Sequence, residues 1–268
     1  MMTYPIIDPV AFSVGPLTVH WYGIMYLAGF AAAWLVAHQR SKRAWVAVRS
    51  HQIEDLILYS AFGVIIGGRL GSALFYNFDQ WLADPLWVFR LWEGGMAFHG
   101  GLLGVIVAIW LYARKIGQPF LAVADFTAPL VPIGLGLGRL GNFIGQELWG
   151  RQTDLPWGMV FPRDIEQLTR HPSQLYQAVL EGLVLFVIVF WYSRKPRPSG
   201  SVGGLFLLSY AVFRFVVEFV RMPDSHIGFD INGWMTRGQL LCIPMAAIGV
   251  LLMAFAAMRQ RAADAETH

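Results

Sequence analysis

The run Ala128-Pro-Leu-Val-Pro-Ile-Gly-Leu-Gly-Leu137 passes directly into Gly138-Arg-Leu-Gly-Asn-Phe-Ile-Gly-Gln-Glu-Leu-Trp-Gly-Arg151. The first part reads as membrane-buried. The second brings two arginines, a carboxylate and four glycines within fourteen residues. An ionisable group at membrane depth is costly, so it characteristically faces a cavity, a partner or a pathway. If the other apolar runs are equally long, the chain is an integral membrane protein, and Arg139, Asn142 and Glu147 head its candidate site residues.

Composition supports that reading. Of 268 residues, 56% are hydrophobic and 14% charged, whereas a soluble domain carries about 25% charged residues. There is too little polar surface for a water-facing exterior. Seven apolar spans of membrane-crossing length are expected near 18–38, 53–75, 96–113, 121–141, 174–193, 203–221 and 239–258. Basic residues alternate between the loops. None precedes the first span, and Arg40, Lys42, Arg43 and Arg49 follow it. Arg114 and Lys115 follow the third, Arg194, Lys195 and Arg197 the fifth, and Arg259 and Arg261 the seventh. By the positive-inside rule the N-terminus lies outside and the C-terminus inside. The fold class is therefore an all-α, single polytopic membrane domain over residues 1–268. Its Trp/Pro/Gly-rich segment 142–173 is expected to form a small extracytoplasmic cap. Met1–Leu17, with Pro5, Asp8 and Pro9 and no basic start, does not read as a cleavable signal peptide. Cys242 is the single cysteine, so no intrachain disulfide is expected.

Local patterns add detail. Gly63, Gly67 and Gly71 recur every four residues in the second span, a spacing that lets two helix backbones approach. Gly134, Gly136, Gly138 and Gly141 either do the same or open space for a lipid. Trp81, Trp87, Trp92, Trp149 and Trp157 fit an interfacial aromatic belt. Ser173 is a candidate helix cap, and Glu181 lies inside an apolar span and needs a partner.

Other polar groups are not explained by packing. Tyr210, Arg214, Glu218 and Arg221 follow at spacings of four, four and three, which places them on one helix face. They read either as a polar cavity wall or as an internal ladder in which Arg214 pairs with Glu218. Two arginines on separate spans, Arg139 and Arg214, suggest an anion clamp, because guanidinium forks match phosphate oxygens. The membrane's obvious anionic small molecule is a phospholipid head group. Glu147 is expected to orient an arginine, with a catalytic carboxylate as the alternative. His99, in Gly94-Gly-Met-Ala-Phe-His-Gly-Gly101, is either a proton acceptor near neutral pH or an interface residue. Tyr22 either donates into the same space or belongs to the belt. Arg69 is an intramembrane cation expected to help line the cavity. The sequence lacks a Gly-x-Ser-x-Gly elbow, a His-Glu-x-x-His motif and a phosphate-binding Gly-x4-Gly-Lys loop. A serine hydrolase, a zinc protease and a P-loop ATPase are disfavoured, and no metal, soluble cofactor or nucleic acid is expected.

These blocks resemble the bacterial phosphatidylglycerol–prolipoprotein diacylglyceryl transferases over nearly the whole chain. The resemblance is carried by His20-Trp-Tyr-Gly23, Gly67-Gly-Arg-Leu-Gly71, Gly94–Gly101, Gly138–Arg151, His171-Pro-Ser-Gln-Leu-Tyr176 and Tyr210–Asp224. It implies seven membrane helices and a bacterial cytoplasmic (inner) membrane location, with a periplasmic N-terminus and a cytoplasmic C-terminus. It also implies transfer of the diacylglyceryl group of phosphatidylglycerol to the lipobox cysteine of a preprolipoprotein, with glycerol phosphate leaving. On this resemblance Arg139 and Arg214 match essential lipid-binding arginines and His99 the proposed catalytic histidine. Tyr22, Asn142 and Gly150 match positions needed for activity, and Glu147 matches the signature carboxylate. Tyr210 and Glu218 join the phosphatidylglycerol-binding set through the face they share with Arg214. Gly145-Gln146 departs from the family's usual asparagine followed by a small residue. A transporter or flippase for an anionic lipid is the competing class, and would be expected to show internal repeats and a polar path to both faces.

Overall fold

The computed structural model describes residues 2–15, 17–222, 229–231 and 235–266. The chain is mostly helical and divides into two compact units, Met1–Val36 with Thr127–His268, and Ala37–Phe126. Helices occupy each of the seven expected positions. They are α1 (Trp21–Ser41), α2 (Ile53–Phe75), α4 (Phe98–Lys115), the pair α5 (Phe120–Thr127) and α6 (Val131–Ile144), the run from α7 (Ser173–Gln177) to α8 (Leu185–Tyr192), α9 (Ser201–Glu218) and α10 (Arg237–Glu266). A short α3 (Phe78–Ala83) follows α2. Five of these segments are long and apolar enough to cross a membrane, six if the bent α5–α6 pair is one span. The bend, 43°, lies between Thr127 and Val131, and Pro132 in the first turn of α6 has no N–H to continue the earlier helix.

The all-α expectation needs one correction, because three small sheets are present among the described residues. β1 (Met2–Thr3), β4 (Met159–Val160) and β5 (Thr169–Arg170) form one, in the order β1-β4-β5. β2 (Val10–Val14) and β3 (Leu17–His20) form a hairpin leading into α1. β6 (Phe229–Ile231) and β7 (Met235–Thr236) form another, leading into α10. Thr236 and Gln239 there cap each other's backbone N–H at 3.2 and 3.0 Å, a reciprocal cap that fixes the start of α10. The Pro223-Asp224 end of the last family-like block lies outside the described residues.

In the smaller unit, α2 and α4 run antiparallel through their glycines. A methyl group added at Gly67 would lie 2.3 Å from the Gly100 carbonyl oxygen, and one at Gly63 2.6 Å from that of Gly104. The four-residue glycine spacing thus marks a close backbone approach, as expected. Arg69 corrects another expectation. It is 2% exposed, and its guanidinium donates to the carbonyls of Trp87, Val88, Arg90, Gly94 and Gly95. It lies 3.8 Å over the Trp87 ring. Arg69 therefore staples the 87–95 loop to α2, and Trp87, 3% exposed, is its platform and not a belt residue.

In the larger unit, segment 142–173 folds together with the N-terminal strand. Tyr4, Phe143, Met159 and Phe161 form a buried cluster, with Trp149 and Leu175 packed against it. The Tyr4 hydroxyl donates to the Phe143 carbonyl at 2.9 Å. Trp149, partly buried, stacks on Phe161 at the edge of this cluster. Asp164 and Arg170, 3% and 4% exposed, pair through both carboxylate oxygens at 2.6 and 3.2 Å. The Arg170 hydrogen bond holds the Asp164 carboxyl below the usual range, and two backbone N–H groups act in the same direction.

Candidate active site

All members of the arginine cluster belong to the larger unit. α6 ends at Ile144, and the chain then turns sharply because Gln146 and Leu148 adopt φ of +54° and +56°. Each costs about 1 kcal/mol for a residue with a side chain. The turn folds Glu147 back onto α6. Its N–H donates to the Asn142 carbonyl at 2.9 Å, and its carboxylate accepts from the Asn142 amide at 3.4 Å. The Asn142 amide oxygen accepts from Arg139 at 3.4 Å. Glu147 thus reaches Arg139 through Asn142, by a relay. Gln146 holds the turn by accepting from the Arg163 N–H at 3.0 Å, which gives the departing residue of the signature a defined role. From the other side, Gln174 donates to the Glu147 carbonyl at 2.6 Å and Ser173 to the Leu148 carbonyl at 3.0 Å. Ser173 is therefore a clamp on this turn and not a cap, and Pro172 occupies the cap position.

A seven-residue π-helical stretch, Ala178–Val184, joins α7 to α8. Wide turns of this kind recur at functional sites. Gly182 within it packs on Gly136 of α6, where an added methyl would lie 2.6 Å from the Gly136 Cα. That close approach brings Glu181 within electrostatic range of Arg139. Arg214 of α9 reaches the same place. It donates to the Gln177 side-chain carbonyl at 3.0 Å and pairs with Glu218 at 3.0 Å and Glu181 at 3.7 Å. Glu218 also accepts from Arg221 at 3.3 Å. Tyr210, one turn before Arg214, stacks on Phe206 and lies within electrostatic range of Glu181 and Arg139.

The end of α9 is fixed to the loop that leaves α6. Gly150 bridges to Arg221, and its N–H donates to the His171 carbonyl at 2.8 Å. The Arg151 N–H donates to the Val220 carbonyl at 2.8 Å, and its guanidinium to the carbonyls of Arg221 and Glu218 at 3.0 and 3.2 Å. A cation there satisfies the orphan carbonyls of the helix end and complements its dipole. Tyr22 packs on Gly141 of α6, where an added methyl would lie 2.9 Å from its ring, and its hydroxyl shares a hydrogen bond with Tyr26 at 3.1 Å.

The family model for prolipoprotein diacylglyceryl transferase matches residues 9–255. The chain is 60% identical to the phosphatidylglycerol–prolipoprotein diacylglyceryl transferase of Teredinibacter turnerae, over 96% of this chain and 93% of that one. Its identity to proteins of the same name is 57% in Methylococcus capsulatus, over 98% and 100% of the two chains, and 56% in Pseudomonas aeruginosa, over 98% of each. The chain belongs to the prolipoprotein diacylglyceryl transferase family.

Of the residues that resemblance singled out, the larger unit links Arg139, Asn142 and Glu147 in one chain of contacts, and Arg214 and Glu218 in another. Gly150 lies at the seam between the α6 loop and α9, and Tyr22 against α6. His99 is an exposed residue near the start of α4, in the smaller unit. Sequence reasoning missed Gln177, Gln174 and Arg151. Gln177 had a signal, since it stands four residues before Glu181 in a span that is otherwise apolar, so the two share a helix face.

Proposed function

We propose that this protein, a membrane transferase of lipoprotein maturation, moves the diacylglyceryl group of phosphatidylglycerol to the lipobox cysteine thiol of preprolipoproteins. The observation that carries the site assignment is the pair of arginines on separate helices, Arg139 and Arg214. Arg214 has only 14% of its side chain exposed, and each is within electrostatic range of the other. Partly buried guanidinium groups of this kind suit a phosphate that approaches from the bilayer. The helix pattern and the alternation of basic loops support seven spans with a periplasmic N-terminus, a cytoplasmic C-terminus and segment 142–173 as a periplasmic cap.

In the reaction the thiol sulfur attacks the glyceryl carbon that carries the phosphate oxygen. A C–S bond forms, the C–O bond breaks, and glycerol phosphate leaves with the electron pair. The thiol proton passes to a base. Arg139 and Arg214 hold the phosphate and stabilise the charge that grows on it, commonly a large catalytic contribution. Asn142 and Glu147 orient Arg139, and Glu218 and Tyr210 flank Arg214. Tyr22 positions the lipid from α1, and Gly150 keeps the two arginine-bearing helices in register. His99 is the base that generates the thiolate, the nucleophilic form, and rests on the family resemblance alone. A flippase reading has less support, since no internal repeat is evident in the sequence.

The test mixes purified protein, phosphatidylglycerol and a lipobox peptide. A peptide mass gain equal to one diacylglyceryl group is expected. Lipid translocation with no mass gain would refute the transferase reading. A His99→Gln variant with near-normal turnover from pH 6 to 9 would remove that residue from the base role.

A further inference from the structure

Glu181 is 0% exposed, and neither of its carboxylate oxygens has a hydrogen-bond partner among the described residues. Its one ion pair, to Arg214, is long at 3.7 Å. An ionisable group kept in this condition inside an apolar span is unexplained by packing, because a neutral side chain of the same shape would fill the space at lower desolvation cost. The groups within electrostatic range of it are Arg139 from α6, Tyr210, Arg214, Glu218 and Arg221 from α9 and its end, and Cys242 from α10. Three of these are cations. Against them stand two carboxylates, Glu218 and Glu181, so the groups that act directly on Glu181 sum, with it ionised, to a net charge of +1.

That balance matches one anion and no more. A phosphodiester such as the lipid head group carries a single negative charge. The departing monoester gains a second one above its second pKa of about 6. We propose that Glu181 is a specificity-determining residue that limits the arginine site to a single negative charge, so that the site holds the diester substrate but expels the dianionic product. This rests on the reading of Arg139 and Arg214 as the phosphate site. Glu181 repels the extra charge in the product, while Glu218 and Gln177 hold the Arg214 guanidinium in place for the phosphate.

The test measures inhibition by added glycerol phosphate in the full-length purified enzyme, together with KM for phosphatidylglycerol. At pH 8, Glu181→Gln is expected to tighten glycerol phosphate inhibition about tenfold or more, the scale of one full charge at this range, while KM for the lipid changes less. At pH 5.5, where the monoester is mostly singly charged, the gap between variant and parent shrinks to a few-fold. Gln177→Glu adds a carboxylate beside Arg214 and should weaken the inhibition, and it carries the test if Glu181→Gln does not fold. An unchanged ratio of inhibition constant to KM in both variants, or a shift that is the same at both pH values, overturns the proposal. Arg139→Lys separates the two levels. If it alters neither KM nor inhibition, the phosphate site itself is misassigned. If it weakens both while the charge variants shift neither, only the role of Glu181 falls.

Discussion

Gly150→Ala is the sharpest single perturbation of the site, because every atom its methyl group would meet is held in place. The added carbon would lie 2.5 Å from the Val220 carbonyl oxygen, 2.6 Å from the His171 Cβ and 2.8 Å from the His171 carbonyl oxygen. An ordinary contact begins near 3.4 Å, so the Val220 carbonyl must retreat by about 0.9 Å. It cannot do so alone. It accepts from the Arg151 N–H, and the neighbouring carbonyls of Arg221 and Glu218 accept from the Arg151 guanidinium. Overpacking of this kind costs about 1–3 kcal/mol, and the Gly150–His171 hydrogen bond at risk adds about 1 kcal/mol. A loss of about 2–4 kcal/mol is expected. The displaced strand belongs to the end of α9, which carries Glu218 and, one turn earlier, Arg214. Misplacement of a catalytic constellation by about 1 Å costs on the order of a hundredfold in rate.

The assay therefore has two readouts. Thermal unfolding of the purified variant in detergent should show a lowered midpoint. At a temperature where the variant remains folded, diacylglyceryl transfer to a lipobox peptide should fall about a hundredfold, chiefly in kcat. A folded Gly150→Ala protein with parental turnover would refute the idea that the seam between the α6 loop and α9 sets the arginine geometry. Lower stability with intact turnover would confine the role of Gly150 to packing.

Other perturbations probe separate parts of the chain. Gly67→Val should destabilise the smaller unit by about 1–3 kcal/mol, seen as a lowered unfolding midpoint, because its methyl groups would meet the Gly100 backbone. Arg69→Met removes the guanidinium from five carbonyls of the 87–95 loop, and faster proteolysis confined to that loop is the expected result. Asp164 has its carboxyl pKa depressed in the folded state, chiefly by Arg170. Its contribution is present above the unfolded value of 3.8 and is lost as pH falls through the lower folded value; Asp164→Asn should therefore lower the melting temperature at pH 7 and narrow its gap to the parent below pH 3. Burial lowers the His171 pKa below 6.5, so the unfolded chain binds its proton more readily and stability should rise as pH climbs through that range, a dependence that His171→Gln should remove.

The helices were legible because hydrophobicity written in blocks is a coarse signal that local irregularity cannot hide. All seven expected segments carry a helix, and the glycine ladder of α2 meets its partner on α4. The strands were not legible. β1, β4 and β5 are two residues each, too short for any period of two to register, and β1 pairs with β4 across more than 150 residues of sequence. Arg69 was misread for a related reason. An arginine in an apolar run signals that something satisfies it, but periodicity does not distinguish a ligand from five backbone carbonyls of a loop twenty residues downstream. The relay from Glu147 through Asn142 was not legible because the turn at Gln146 and Leu148 uses left-handed backbone at residues that rarely adopt it, so its direction could not be inferred from spacing.

The face formed by Tyr210, Arg214, Glu218 and Arg221 admitted two readings, an internal ladder or the wall of an anion site; the contacts form the ladder, and its charge balance bears on the second reading. Glu218 is shared between Arg214 at 3.0 Å and Arg221 at 3.3 Å. Glu181 stands farther from Arg214, at 3.7 Å, so among the described residues Glu218 is the carboxylate in close contact with both guanidiniums. The ladder therefore fixes the Arg214 side chain by one nitrogen on Glu218 and another on Gln177, and one closely held carboxylate serves two arginines. A guanidinium fixed in this way loses little conformational freedom when an anion arrives. A fully paired arginine would have to break its ion pair first. Incomplete compensation is thus the property that distinguishes this cluster from Asp164–Arg170, where bidentate contacts and backbone donors leave the carboxylate fully engaged. The latter holds a fold together, and on the proposed reading the former receives a phosphate.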